Sequence, residues 1–248
     1  MKFYRYQSLG NDFILLDWLE CEDSINPDWI RQNCDRRNGA GADGILVLQN
    51  KNHPRVRIFN ADGSDGQSCF NGVRCAAYHL VSQRNFPQTF KLKMQRLINC
   101  EVIKNLITIN VGKVSYKKPH QILIANKILS GHIVDVGNPH FVILEKIDLS
   151  WLQKYGHAIE NHQDFPGRTN VEFVWRNANN YYALVYERGC GITKACGTGA
   201  AAIVQTLFHQ NEITCNQKIS IQMPGGVLQT YLDDNESVIQ VAQAEIVN

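Results

Sequence analysis

A cysteine followed three residues later by glycine, and then by a run of helix formers, occurs twice in this chain, and the two copies stand 127 residues apart. The first is Cys69-Phe70-Asn71-Gly72, leading into Val73-Arg74-Cys75-Ala76-Ala77. The second is Cys196-Gly197-Thr198-Gly199, leading into Ala200-Ala201-Ala202-Ile203-Val204. The same offset carries Gly10-Asn11 onto Gly137-Asn138 and Asp43 onto Asn170. It also carries Asn60, which ends the apolar run Val56 to Phe59, onto Glu187, which ends Leu184-Val185-Tyr186. One offset that aligns this many polar landmarks implies an internal duplication. The chain is therefore expected to fold as two copies of one unit, each with a cysteine at a helix N-terminus. Unpaired amides and the positive end of the helix dipole favour an anion there, either the thiolate itself or a bound carboxylate.

With 248 residues, two halves of about 120 residues suit that offset, divided as 1–116 with Cys69 and 117–236 with Cys196. The formal charge is +2 and no basic block stands out, which argues against nucleic acid or an anionic membrane as a partner. The N-terminus alternates like a first strand and lacks the apolar core of a signal peptide, and no run reaches the roughly 18 apolar residues of a membrane helix. A soluble, cytoplasmic protein is expected. The eight cysteines then read as thiols, with Cys21, Cys34, Cys100 and Cys215 structural. Cys75 and Cys190 repeat a five-residue gap to Cys69 and Cys196, a spacing that raises a metal site. The tight Cys-x-x-Cys pattern of structural zinc is missing, so no metal is expected.

In chain order, residues 2–7 and 12–17 read as strands joined through Ser8-Leu9-Gly10-Asn11. Asn26 and Pro27 cap and start a helix to about Asp35. Gly39 to Gly44 is glycine-rich but lacks the Lys-Ser/Thr of a phosphate-binding loop, which argues against a nucleotide. Ile45–Leu48 and Val56–Phe59 are strands, and the helix after Cys69 buries Val73, Ala76, Ala77, Leu80 and Val81. Thr89 to Asn110 reads as a meander broken at Leu97-Ile98-Asn99 and Lys104-Asn105, and Lys113 to Pro119 as the crossing between halves. Strands at Gly131–Val136 and Phe141–Leu144, a helix from Asp148 to Tyr155, and strands at Asn170–Trp175 and Tyr181–Glu187 lead to Cys196. Its helix runs to His209, and strands near Ile219–Met223, Val227–Leu232 and Val238–Val241 close the chain. Many short strands and two helices per half suit an α+β unit in which a curved sheet wraps a buried helix.

Two cysteines from two equivalent halves suit one chemistry in particular. Inverting a carbon that bears an acidic proton needs a base on one face and an acid on the other. A thiol, with an ordinary pKa near 8.5, serves in either role.

Leu9-Gly10-Asn11-Asp12-Phe13, Gly41-Ala42-Asp43-Gly44, Phe59 to Ser64, Cys69 to Arg74, Gly137-Asn138-Pro139-His140, Thr169-Asn170-Val171, Tyr186 to Gly189, Ala195 to Ala200 and Pro224-Gly225-Gly226 closely resemble the diaminopimelate epimerases. They stand in that family's order and span nearly the whole chain. The resemblance implies two pseudo-symmetric α+β halves with the active site in the cleft between them, the first half completed by the last strand at about 237–248. It implies a bacterial, cofactor-independent isomerase that interconverts LL- and meso-2,6-diaminopimelate in lysine and peptidoglycan-precursor synthesis, with a homodimer as a candidate assembly. By the family pattern Cys69 and Cys196 transfer the protons and His140 and Glu187 assist them. Asn11, Asn60, Asn138, Asn170, Glu187 and Arg188 bind substrate, and the amides of Phe70-Asn71 and Gly197-Thr198 hold the reacting carboxylate. Phe70 departs from the family, which has glycine there, and it keeps a racemase of another amino acid on the same fold as an alternative. A thiol-based metal-binding or redox protein is the alternative from a different class.

Overall fold

The structure, a computed structural model, describes residues 3–19, 25–66 and 69–247. Lys2, Cys21 and Ser68 lie outside the described residues. The chain divides into two compact units, Met1–Asn110 with Val241–Asn248, and Val111–Gln240.

The first unit begins with β1 (Phe3–Ser8) and β2 (Asn11–Trp18), paired antiparallel through a two-residue turn. Leu9 and Gly10 both take positive φ there (53° and 76°), the hand that matches strand twist. Then come α1 (Pro27–Cys34), β3 (Gly44–Gln49), β4 (Arg55–Asn60), α2 (Phe70–Arg84), β5 (Thr89–Lys93), β6 (Leu97–Ile103) and β7 (Leu106–Lys113). The Asn26 side chain accepts from the Asp28 amide at 2.8 Å, the cap that the Asn-Pro pair predicts. From β1 to β6 the neighbouring strands alternate: antiparallel, parallel, antiparallel, parallel, antiparallel.

The second unit repeats that sequence of pairings. Its strands are β8 (Ser115–Ile124), β9 (Lys127–Asp135), β10 (Pro139–Ile143), β11 (Asn170–Asn177), β12 (Asn180–Glu187), β13 (Gly191–Thr193), β14 (Ile219–Met223) and β15 (Gly226–Leu232). From β9 through β10, β11, β12 and β14 to β15 the order is again antiparallel, parallel, antiparallel, parallel, antiparallel. Helix α3 (Leu149–Glu160) corresponds to α1 and α4 (Gly197–His209) to α2. The duplication read from the 127-residue offset is thus carried by topology as well as by motifs. The chain ends with β16 (Ser237–Gln243) and β17 (Glu245–Ile246), the latter antiparallel to β1.

In each unit the second helix is the buried one. Every residue from Phe70 to Ala77 in α2, and from Gly197 to Leu207 in α4, is buried. In α4 the enclosed stretch is almost wholly small and apolar, whereas α2 also buries Asn71, Arg74 and His79. The first helices instead cover the other sheet face. Ile30 and Cys34 of α1 join Ile14, Leu16, Ile45, Val47 and Phe59, while Leu152 and Ile159 of α3 join Phe141, Ile143, Val171 and Phe173. Strands covered on both faces read as continuous apolar runs, as β3 does in Ile45 to Leu48.

Four sequence readings change. Leu97 to Asn99 belong to β6, with Ile98 buried, and the chain turns at residues 94–96. Lys113 to Pro119 are not a crossing: Ser115 to Ile124 form a strand whose polar faces hid its period. Helix α3 continues past Tyr155 to Glu160, through Gly156. A Cβ at residue 156 would stand 2.2 Å from the Tyr186 ring, so glycine there answers packing rather than a helix end. Finally, the single offset slips by one residue in one strand. Phe13 pairs with Gly44, and its counterpart His140 pairs with Asn170. Asn170 is therefore the counterpart of Gly44, and Asp43 that of Thr169. Compensating one-residue gaps on either side of a strand are invisible to one offset.

Candidate active site

Cys69 is the N-cap of α2 in extended conformation, and its Sγ accepts from the Gly72 amide at 3.4 Å. Phe70, the first helical residue, is buried with the Arg96 guanidinium 5.8 Å from its ring centre. Its backbone is right-handed helical, so the amide that a glycine would offer is offered equally well by phenylalanine.

Behind Cys69 runs a chain of amides whose direction is set by charge at both ends. Arg74 Nη1 donates to Asn71 Oδ1 at 2.7 Å, Asn71 Nδ2 donates to Asn11 Oδ1, and Asn11 Nδ2 donates to Asp43 Oδ2 at 3.2 Å. Asp43 in turn pairs with Arg36 at 2.7 Å. Arg74 is fully buried, and burial pushes its guanidinium down to about 10, opposed by the Cys69, Cys75 and Cys100 thiols. Asn60 ends β4 exposed, its Nδ2 donating to Ser64 Oγ at 2.9 Å.

Cys196 caps α4 in the same way, its Sγ accepting from the Gly199 amide at 3.3 Å and lying 3.3 Å from Thr198 Oγ1. The first turn of α4 is held by Gln240, whose Nε2 donates to the Gly197 carbonyl at 2.6 Å. Burial holds the Cys196 thiol well above its ordinary value, and the carboxylates of Glu187 and Glu172 add to the effect. Glu187 is also raised by burial, against hydrogen bonds from Thr193 and Cys196. The Thr193 hydroxyl donates to Glu187 Oε1 at 2.6 Å.

Beside these groups, the buried His140 ring lies between Glu172 Oε1, 2.7 Å from Nδ1, and Asn138 Oδ1, 3.1 Å from Nε2. Asn170 joins two loops: its Nδ2 donates to the Pro139 carbonyl at 2.8 Å, and its Oδ1 accepts from the Arg188 amide at 3.0 Å. The Arg188 guanidinium donates to the Gly167 carbonyl at 3.1 Å.

Of the residues singled out from sequence, the first unit thus links Asn11 and Asn71 into one network behind Cys69, while Asn60 engages Ser64 instead. The second unit gathers Asn138, His140, Glu187, Thr198 and Cys196, and ties Asn170 to Arg188. Sequence reading missed Thr193, Gln240 and Glu172. The last had a visible signal, a lone carboxylate inside the apolar run Val171 to Val174. Cys75 is buried and Cys190 exposed, and among the described residues no three His, Cys, Asp or Glu side chains converge as metal ligands. Among the described residues no helix is long and apolar enough to cross a membrane.

The fold and the paired helix-capping cysteines define a class: two-unit α+β proteins of the epimerase type. Solved structures share this fold at low sequence identity. One is a hydroxyproline epimerase from Agrobacterium vitis, with TM-score 0.74, 12% identity, and coverage of 99% of this chain and 90% of that one. Another is a phenazine biosynthesis protein of the PhzF family from Bacillus anthracis, with TM-score 0.76, 11% identity, and coverage of 100% and 98%. The sequence profile of the diaminopimelate epimerases matches residues 3–117 and 132–247, and the chain belongs to that family. It is 36% identical to the diaminopimelate epimerase of Carboxydothermus hydrogenoformans, over 100% of this chain and 97% of the relative. It is 32% identical to that of Blochmanniella floridana, over 92% and 90%.

Proposed function

We propose that this protein is an isomerase that interconverts LL- and meso-2,6-diaminopimelate without a cofactor, working in the cytoplasm on the route to lysine and peptidoglycan precursors. One observation carries the reading. In a chain of this family, each unit makes its cysteine the N-cap of its buried helix, with a glycine amide on the sulfur.

In the proposed step one cysteine, as thiolate, takes the α-proton and becomes a thiol. The electron pair left on carbon is delocalised into the adjacent carboxylate, which the amides of Phe70-Asn71 and Gly197-Thr198 bind. The other cysteine, a thiol, delivers its proton to the opposite face and becomes a thiolate. Only the configuration at one carbon changes. His140 and Glu187 assist this proton traffic, and Asn11, Asn60, Asn138, Asn170, Glu187 and Arg188 bind the rest of the substrate. The partner is a small amino acid rather than nucleic acid or membrane, and a homodimer is the assembly to test.

The test is exchange of the α-proton with solvent deuterium, followed by proton NMR, for LL-diaminopimelate beside a panel of free L-amino acids and without pyridoxal phosphate. Exchange with epimerisation of diaminopimelate, lost in Cys69→Ala and in Cys196→Ala, is expected. Exchange of a different amino acid instead would overturn the substrate, and no exchange by reduced protein would overturn the chemistry.

A further inference from the structure

The second unit holds an ionisable pair where the first unit holds two apolar side chains. Glu172 is the third residue of β11, fully buried, paired in register with Val142. In the first unit the same place is held by Leu46, paired with Leu15, the counterpart of Val142. A second relation confirms the match: a Cβ on Gly72 would stand 2.8 Å from Leu46 Cδ2, and a Cβ on Gly199 2.8 Å from Glu172 Oε1. The counterpart of His140 is Phe13, also buried. Where the first unit packs Phe13 against an apolar strand, the second builds an imidazole and a carboxylate. Burying a carboxylate in a position that accepts leucine is unfavourable for stability. Its Oε2, moreover, has no hydrogen-bond partner among the described residues.

The pair has a definite chemical consequence. With Glu172 ionised the carboxylate only accepts, which places a proton on His140 Nδ1, 2.7 Å from Glu172 Oε1. The state of Nε2, 3.1 Å from Asn138 Oδ1, is then the variable. With a proton on Nε2 the ring is an imidazolium that donates to that oxygen. Without it, the Asn138 amide turns and donates from Nδ2. The two states differ by one proton at Nε2. The other groups gathered in this cluster are Glu187 at the end of β12, Thr193 of β13, and Cys196 with Thr198 at the start of α4. Positive charge on His140 favours the ionised form of Glu187, which is hydrogen-bonded to Cys196.

Resting on the reading that Cys196 is a proton-transfer thiol, we propose that Glu172 is a positioning residue: it anchors His140 through Nδ1 and so leaves Nε2, turned to Asn138, as the ring atom whose protonation state sets the charge beside the Cys196 cluster. The counterpart positions Phe13 and Leu46 leave the Cys69 side without such a device, and there the buried cation is Arg74, whose counterpart in α4 is Ala201.

The test uses full-length protein labelled with ¹⁵N-histidine, with His140→Gln to assign the ring signals. Wild type should show His140 protonated at Nδ1 across neutral pH, and Glu172→Gln should lose that state. In the same variant kcat for diaminopimelate should fall by about tenfold or more with KM changed by less than about threefold, and one limb of the kcat–pH profile should move. Glu172→Asp should recover part of both. His140→Phe with Glu172→Leu copies the first unit, and should melt near wild type yet be inactive. An unchanged ring tautomer together with an unchanged pH profile in Glu172→Gln would overturn the proposal. If wild type leaves diaminopimelate untouched, the substrate reading fails, and the ring signals of wild type and Glu172→Gln still decide the role of Glu172. If Glu172→Gln does not fold, the double variant decides: loss of folding there too would show a structural role and overturn it.

Discussion

Gly199 and Glu172 approach so closely that a Cβ on residue 199 would lie 2.8 Å from Glu172 Oε1, the oxygen that meets His140. The glycine's own amide donates to Cys196 Sγ. Backbone, carboxylate and thiol are therefore packed as one unit at the start of α4.

Gly199→Ala should thus displace the Glu172 carboxylate from His140. Overpacking of this kind costs about 1–3 kcal/mol, and exchange activity should fall at least about tenfold. Gly72→Ala meets Leu46 Cδ2, the far end of a flexible side chain, and should lower the melting temperature less. Calorimetry and the exchange assay on the two variants check the contrast.

Gly156→Ala sets two effects against each other. Alanine in a helix interior gains up to about 1 kcal/mol over glycine, but the new Cβ would fall 2.2 Å from the Tyr186 ring. The clash should win, with a net loss of about 1–2 kcal/mol read by urea denaturation.

In the first unit Asp17 accepts from His79 at 2.9 Å and pairs with Arg84. Burial works to raise its carboxyl, but these partners more than offset burial and hold it well below the carboxylate range. Its stabilising contribution is therefore present above the ordinary carboxylate pKa near 4 and is lost as pH falls through the lowered native value. Asp17→Ala should cost about 3 kcal/mol at pH 7, and the gap in melting temperature should close on acidification below about pH 4.

Cys196 has the opposite sign. Its thiol is raised in the native state, so on going alkaline the unfolded chain ionises first and stability drops. Wild type should lose stability above about pH 8.5 more steeply than Cys196→Ala, as pH-dependent melting would show. Iodoacetamide should also modify native Cys196 more slowly at pH 8 than exposed Cys190, by peptide mass spectrometry.

Much of this was legible in the residues. Asn26 before Pro27, Asp148 before its helix and the two cysteines before glycine-rich turns mark helix starts by local chemistry, and local chemistry acts within a few residues. The duplication showed because its landmarks are polar groups at chain turns, where side-chain identity answers to backbone geometry and ligand. The sequence reading ends α3 at Tyr155, five residues short, and what Gly156 inside the helix answers to, the Tyr186 ring, lies 30 residues away in sequence.

By itself, then, the sequence determined the two-unit plan, the two buried helices and the cysteines that cap them. Only the tertiary structure decided which strand residues stand behind those cysteines. Leu46 and Glu172 are matched by strand register and a facing glycine, not by the 127-residue offset. That difference between the units, an apolar pair in one and a carboxylate with an imidazole in the other, arises from side chains meeting across strands that pair only once the chain has folded.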